Sequence, residues 1–297
     1  MNDPKPAVLL LAHGSPDSVD EVPEFLLQVT GGRPLPAPVI AEVQHRYALI
    51  GRSPLTELTL QQGKLLAEKL GLPVHVGMRN WKPFIADAVR AMSAEAVTRA
   101  IVICLAPQNS RTSVGLYRSA LAANNPPFAL DFVESWHDHP MLVRAFAEKL
   151  CAGRARANSE MGSNVPVIFT AHSVPQRTIT EGDPYEQQAK ETAELVAREA
   201  KLDAGDWVFA FQSQGMSGGA WLGPTVEDTI RKLKAEGHTG VFIQPIGFLC
   251  DHVEVLYDID IGFKEFAAKE GMKLWRADSL NDSPLLTAAL ADIVRSR

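Results

Sequence analysis

The chain has 297 residues, 46% of them hydrophobic and 22% charged, with a formal net charge of -6. This balance is that of a globular chain of one large or two moderate domains and excludes a low-complexity or disordered one. The acidic balance and the lack of any Lys/Arg-rich run speak against a general nucleic-acid binder. No stretch approaches the ~20 apolar residues of a membrane helix.

Apolar, β-branched runs predict strands over Ala7–Ala12, Val74–Met78, Ala100–Leu105 and Leu130–Glu134, and then over Val165–Ala171, Trp207–Gln212, Gly240–Ile246 and Met272–Arg276. Continuous apolar runs suit strands covered on both faces. Helical periodicity fills the gaps. Thr59–Leu70 sets Leu60, Leu65, Leu66 and Leu70 along one side, and Tyr185–Ala200, Thr225–Ala235 (with Pro224 at its start) and Leu285–Val294 have similar patterns. Alternating strand and helix predicts parallel sheets.

The two halves echo each other. Ala12-His13-Gly14-Ser15-Pro16 aligns with Ala171-His172-Ser173-Val174-Pro175, each after the first strand of its half. A weaker echo pairs Met78–Trp81 with Met216–Trp221. The expectation is an α/β protein of two similar domains, residues 1–150 and 151–297, facing each other across a cleft. The last helix is a candidate to pack back on the first domain. The polar segment Cys151–Asn164 is predicted as a turn-rich junction. Val8–Ala12 is too short for a signal-peptide core, so a cytoplasmic protein is expected; separately, the chain is expected to act as a monomer. Cys104, Cys151 and Cys250 are odd in number and far apart, which predicts reduced thiols and neither a disulfide framework nor a CxxC metal site.

Two phrases carry chemistry. Phe169–Pro175 places His172 on a βα loop, and Pro245–Glu254, running on to Asp258 and Asp260, places Glu254 just beyond an apolar strand. A neutral imidazole facing a carboxylate can hold a divalent metal and accept protons; the plainer reading of His172 is a loop histidine bonded to backbone. Glu254 and Asp258 are four apart and share a helix face. The plainer reading there, a solvated face, sits poorly with Val253, Val255, Leu256, Ile259 and Ile261. His13 is either a turn residue or a second imidazole for the cleft. Arg46, Tyr47, Ser53 and Tyr117 suit carboxylate recognition, or are surface and half-buried residues. The loop Gln212–Gly219 could cradle phosphate but lacks both the P-loop ending and GxGxxG, and no GxSxG elbow occurs.

Taken in order and spacing, these phrases resemble the ferrochelatase family. The match runs from Leu9–Pro16 through Arg46-Tyr47, Ile50–Leu55 and Gly77–Phe84 to Phe169–Pro175, Gly182–Tyr185, Phe211–Gly215, Trp221–Pro224, Pro245–Phe248 and Asp251–Glu254. The resemblance implies two Rossmann-like domains around a porphyrin cleft, with ferrous iron as a substrate and no permanently bound cofactor. It implies His172 and Glu254 as the catalytic, metal-holding pair, with Asp258 feeding metal to them. It implies His13, Arg46, Tyr47, Ser53 and Tyr117 as porphyrin contacts. His13 stands where related bacterial enzymes carry a tyrosine, so an imidazole would replace a phenolate above the ring. Thr30 stands where an arginine is expected, and Gly262 interrupts the acidic row unless Asp260 substitutes. The C-terminal stretch to Arg297 has no cysteine cluster, which implies no iron–sulfur cluster. The lip Asp17–Pro38 resembles that of enzymes metallating coproporphyrin III, favouring it over protoporphyrin IX. The rival expectations are a sirohydrochlorin-type chelatase, for which His13 and His172 would be the metal pair, and a non-catalytic haem or metal carrier.

Overall fold

The structure, a computed structural model, describes residues 5–215 and 218–297, so Met216 of the weaker echo lies outside the described residues. The first half runs β1 (Pro6–Ala12), α1 (Val22–Val29), α2 (Ala37–Ile50), α3 (Leu55–Leu70), β2 (Val74–Met78), α4 (Ile85–Ala94), β3 (Arg99–Cys104), α5 (Val114–Ala122) and β4 (Ala129–Val133). After α6 (Pro140–Met161) come β5 (Val167–His172), α7 (Gln176–Thr180), α8 (Tyr185–Glu199), β6 (Trp207–Gln212), α9 (Val226–Ala235) and β7 (Gly240–Pro245). The chain ends with α10 (Val253–Leu256), α11 (Lys264–Lys269), β8 (Lys273–Arg276) and α12 (Pro284–Arg295).

The strands form two parallel four-stranded sheets in the same order, β2-β1-β3-β4 and β6-β5-β7-β8. The repeat read from the sequence is therefore a repeat of topology. Strand β1 shows why its run is continuously apolar: Ala7, Leu9 and Leu11 pack on one face of the sheet with Ile85, Val89 and Tyr117, while Val8 and Leu10 pack on the other with Leu66 and Phe146. Each such leucine contributes about 1.5–3 kcal/mol on full burial. The second of these clusters spans the molecule, taking in Val167, Phe169 and Phe242 of the second sheet.

Further contacts join the halves. Helix α12 packs on α3 and α6, and Asp183 accepts hydrogen bonds from Ser110 Oγ at 3.1 Å and from the Arg111 N–H at 2.8 Å. Cys104 and Cys250 are buried, and burial pushes each thiol up to about 12, so neither ionises near neutrality.

The expected turn-rich junction is helix instead. Residues 151–161 are the second half of α6, which ends only at Gly162, in the left-handed conformation with its N–H on the Asn158 carbonyl at 2.8 Å. The polar residues misled because they occupy its solvent side, while Gly153 and Ala157 face inward. A Cβ on Gly153 would lie 2.6 Å from Cζ of the fully buried Phe242, so the glycine is what lets the helix lie against β7. Gly153→Ala is therefore expected to destabilise the fold by about 1–3 kcal/mol through overpacking, despite alanine's better helix propensity. A higher denaturant midpoint for the variant in chemical unfolding would contradict this.

Candidate active site

In each sheet the strand order reverses beside the strand that opens its half, and open α/β sheets place ligands in the crevice beyond the carboxyl ends at that reversal. His172 is the last residue of β5, and Glu254 follows the neighbouring strand β7 by one short loop. His13 follows β1 directly.

His172 Nε2 lies 3.4 Å from Glu254 Oε1, and both side chains keep about a third of their surface open, at 33% and 34%. The expected pair is formed and accessible. On the other side of the carboxylate His252 Nε2 lies 3.6 Å from Oε2, so Glu254 sits between two imidazoles. Sequence reading left His252 without a role, although its place two residues before Glu254 was a usable signal. In all three imidazoles Nδ1 faces a backbone carbonyl: Gly14 O for His13, Ser173 O for His172 and Cys250 O for His252. A carbonyl only accepts, so Nδ1 carries the proton and Nε2 is left for a metal or a second proton.

Burial opposes charge on His172 and Glu254, but their mutual attraction outweighs it. The Glu254 charge and hydrogen bond raise the His172 pKa above its ordinary value, and His172 and His252 hold the Glu254 carboxyl well below the usual carboxylate range. His13 behaves oppositely. Its side chain keeps exposed surface with the Phe25 ring 5.9 Å away; the protein packed around it pushes its pKa down to about 4, leaving it a neutral imidazole near neutrality.

Neighbouring groups fix the pair. Tyr185 donates its hydroxyl to the His172 carbonyl at 2.9 Å. Gln212, nearly fully buried, donates from Nε2 to the Glu254 carbonyl at 2.9 Å and accepts Thr170 Oγ1 at 2.6 Å. The sequence reading saw Gln212 only as the start of a possible phosphate loop; its partner Glu254 is 42 residues on.

The acidic row departs from one regular helix. Helix α10 spans only Val253–Leu256, and a wider π-turn follows over Asp258–Phe263, closed by the Gly262 N–H on the Tyr257 carbonyl at 2.9 Å. Such bulges occur often at functional sites. Asp258 accepts a short hydrogen bond from Ser213 and lies 3.7 Å from Arg46 Nη1. Burial, together with the Glu254 charge, raises its pKa against those two partners. Asp260 does not extend the row in place of Gly262. Arg276 of β8 grips both its carboxylate oxygens, at 2.7 and 2.9 Å, and turns it away.

The other expected contacts divide into open and enclosed groups. Arg46 is half-buried, paired with Glu42 at 3.0 Å, and its guanidinium lies 5.0 Å over the Tyr257 ring. Tyr47 is buried under the lip with Phe25 and Trp81, shares a 3.0 Å hydrogen bond with Ser15, and burial pushes its phenol up to about 12. Ser53 is buried at the start of α3, its Oγ accepting the Leu55 N–H at 3.5 Å. Tyr117 is buried in α5, within electrostatic reach of Glu254.

Comparison with known proteins gives the same picture. A family model described as Ferrochelatase matches residues 5–297. A "Ferrochelatase" of Acidobacterium capsulatum is 58% identical, over 98% of this chain and 94% of the relative. A "Coproporphyrin III ferrochelatase" of Geobacillus sp. is 33% identical, over 99% and 98%. Among solved structures, SirB from Bacillus subtilis with Fe3+ superposes at a TM-score of 0.60 with 12% identity, over 98% of this chain and 95% of that one. That last likeness shows the two-lobed fold alone, whereas the sequence match runs nearly end to end. The chain accordingly belongs to the ferrochelatase family of porphyrin metal chelatases, which are lyases.

Proposed function

We propose that this chain inserts ferrous iron into coproporphyrin III. His172 is the proton acceptor and an iron ligand, Glu254 is the second iron ligand, and His13 is an imidazole presented to the ring from the other lobe. The observation that carries this is the 3.4 Å pair of His172 Nε2 and Glu254 Oε1, each about a third exposed, with Nδ1 of the histidine committed to backbone. A porphyrin releases two pyrrole protons as it takes the metal, so the site needs acceptors as well as ligands. Iron and proton compete for the same Nε2 lone pair, so iron binding expels the proton that Glu254 favours on His172. Glu254, already ionised, neutralises part of the cation's charge without first losing a proton. His252 on its far oxygen supplies a second basic nitrogen for protons leaving the cleft. A two-residue grip suits a metal in transit, since a closed four-ligand cage holds its metal for structure. Asp258, tied to Ser213 and near Arg46, guards the approach and is given a weaker part.

Two observations support coproporphyrin III, which carries four propionates, over protoporphyrin IX, which carries two. Relatives from Geobacillus sp. and Oceanobacillus iheyensis, 33% and 32% identical, are named for it. In the lip, α1 turns Val22, Phe25 and Leu26 inward onto Tyr47 and Trp81, so that Leu27, at 40%, is the one exposed large hydrophobic side chain the helix leaves to greet vinyl groups. The test is anaerobic steady-state insertion of Fe2+ into each porphyrin. Many turnovers are expected, with kcat/KM about tenfold or more higher for coproporphyrin III, the worth of one charge-assisted contact. Equal or reversed preference removes the substrate assignment. Binding one porphyrin per chain with no turnover would make the protein a carrier.

A further inference from the structure

Arg79 is the first residue beyond β2. Its N–H donates to the Ala12 carbonyl at 2.9 Å, and the next N–H, of Asn80, donates to the His13 carbonyl at 3.0 Å. The register Ala12↔Met78 sets Arg79 beside His13 at the carboxyl edge of the first sheet. The backbone is therefore fixed where the cleft begins. The side chain is half-buried, and among the described residues its guanidinium has no ion pair, hydrogen bond or ring partner. It lies close enough to His13 and Tyr117 for its charge to act on both. Arg46, the cleft cation read from the sequence, is by contrast already engaged by Glu42 and Asp258.

The next two residues have the same excess of unmet polar groups. Among the described residues, Asn80, 1% exposed, has no partner for either amide atom, and Trp81, 0% exposed, has none for its indole N–H. A buried polar group left unpaired costs about 1–3 kcal/mol, and a half-buried guanidinium with no counter-ion is a larger demand of the same kind. A tetrapyrrole tetra-acid must also enter a chain of net charge -6, so cations at the cleft wall have to overcome the general repulsion.

We propose that Arg79 is a carboxylate anchor of the first lobe, a specificity-determining residue whose guanidinium pairs with a propionate of the tetrapyrrole lying over His13. The inference rests on the tetrapyrrole reading above and adds the group that selects the acid. Arginine's planar fork suits a bidentate carboxylate pair, and lysine reproduces the charge without the fork.

The test is fluorescence titration of metal-free coproporphyrin III and of its tetramethyl ester into the wild-type chain, R79Q and R79K. For the acid, Kd is expected to rise about 10- to 100-fold in R79Q, with part of the loss recovered in R79K, as for loss of a hydrogen-bonded charge pair. For the ester, Kd is expected to stay within about twofold in all three, because that ligand carries no carboxylate to lose. An unchanged acid Kd in R79Q, or equal weakening of acid and ester, overturns the proposal. R79K keeps the site charged, so it reports even if R79Q fails to fold: recovery of the full acid affinity and a full loss of it both speak against a bidentate pair. Iron turnover by the wild type is scored separately. Its absence alongside an acid-selective R79Q effect would sink the catalytic reading and leave the anchor standing.

Discussion

Replacing His172 with alanine is expected to lower kcat for iron insertion by about 10²- to 10⁴-fold, the range for loss of a positioned acid–base group. The variant loses its iron-ligating nitrogen and its nearest proton acceptor together. Porphyrin affinity is expected to stay within a few-fold, because recognition of the ring's carboxylates rests on other residues. The local fold should tolerate the change. Tyr185 bonds the carbonyl of residue 172, which alanine keeps, and Gln212 bonds the carbonyl of residue 254. The ring itself gives up its pairing with Glu254 at 3.4 Å, its bond to Ser173 O and an edge contact with Phe248 at 6.5 Å between centroids. Stopped-flow or steady-state formation of the metallated product, with a parallel binding titration, checks this. Turnover near the wild-type rate would remove His172 from the chemistry. Loss of porphyrin binding in step with turnover would make its role structural.

What sequence could disclose followed the range of the interactions. Strands covered on both faces announce themselves by unbroken apolar runs, and those found begin and end within about two residues of those expected. The imidazole and the carboxylate were legible because each closes a short phrase after a strand, where sheet topology places sites. Groups whose meaning depends on a distant partner were not. Asp260 reads as one more acid in a row until Arg276, 16 residues on, takes both its oxygens. Gln212 reads as loop until it is seen holding the backbone of Glu254. The middle of α6 reads as a linker because its inward face is only Gly153 and Ala157, too small to give an apolar stripe. Arg79 was concealed differently: what marks it is the lack of a partner among the described residues, which only the folded arrangement reveals.

Glu254→Gln tests the electrostatics of the pair. The amide keeps the shape of the side chain and removes its charge. Iron then loses its anionic ligand, and the maximal kcat is expected to fall by about 10²-fold, in the range for removal of one preorganised charge-stabilising group. The pH profile carries the sharper consequence. Insertion requires His172 neutral, so wild-type kcat/KM should be lost as pH falls through the pKa of the coupled pair, which Glu254 holds above the ordinary imidazole value. Without that charge, burial acts on His172 with less opposition and disfavours imidazolium. The acid limb of Glu254→Gln is therefore expected at lower pH than that of the wild type, so the variant, slower at its plateau, keeps a larger fraction of its own maximum in mildly acidic solution. The check is kcat/KM for both proteins across pH 5.5–9 (about the span over which imidazoles titrate), normalised to each plateau. If the acid limb stays where it is or moves up, Glu254 does not set the protonation of His172, and the pair would have to be read as two independent ligands.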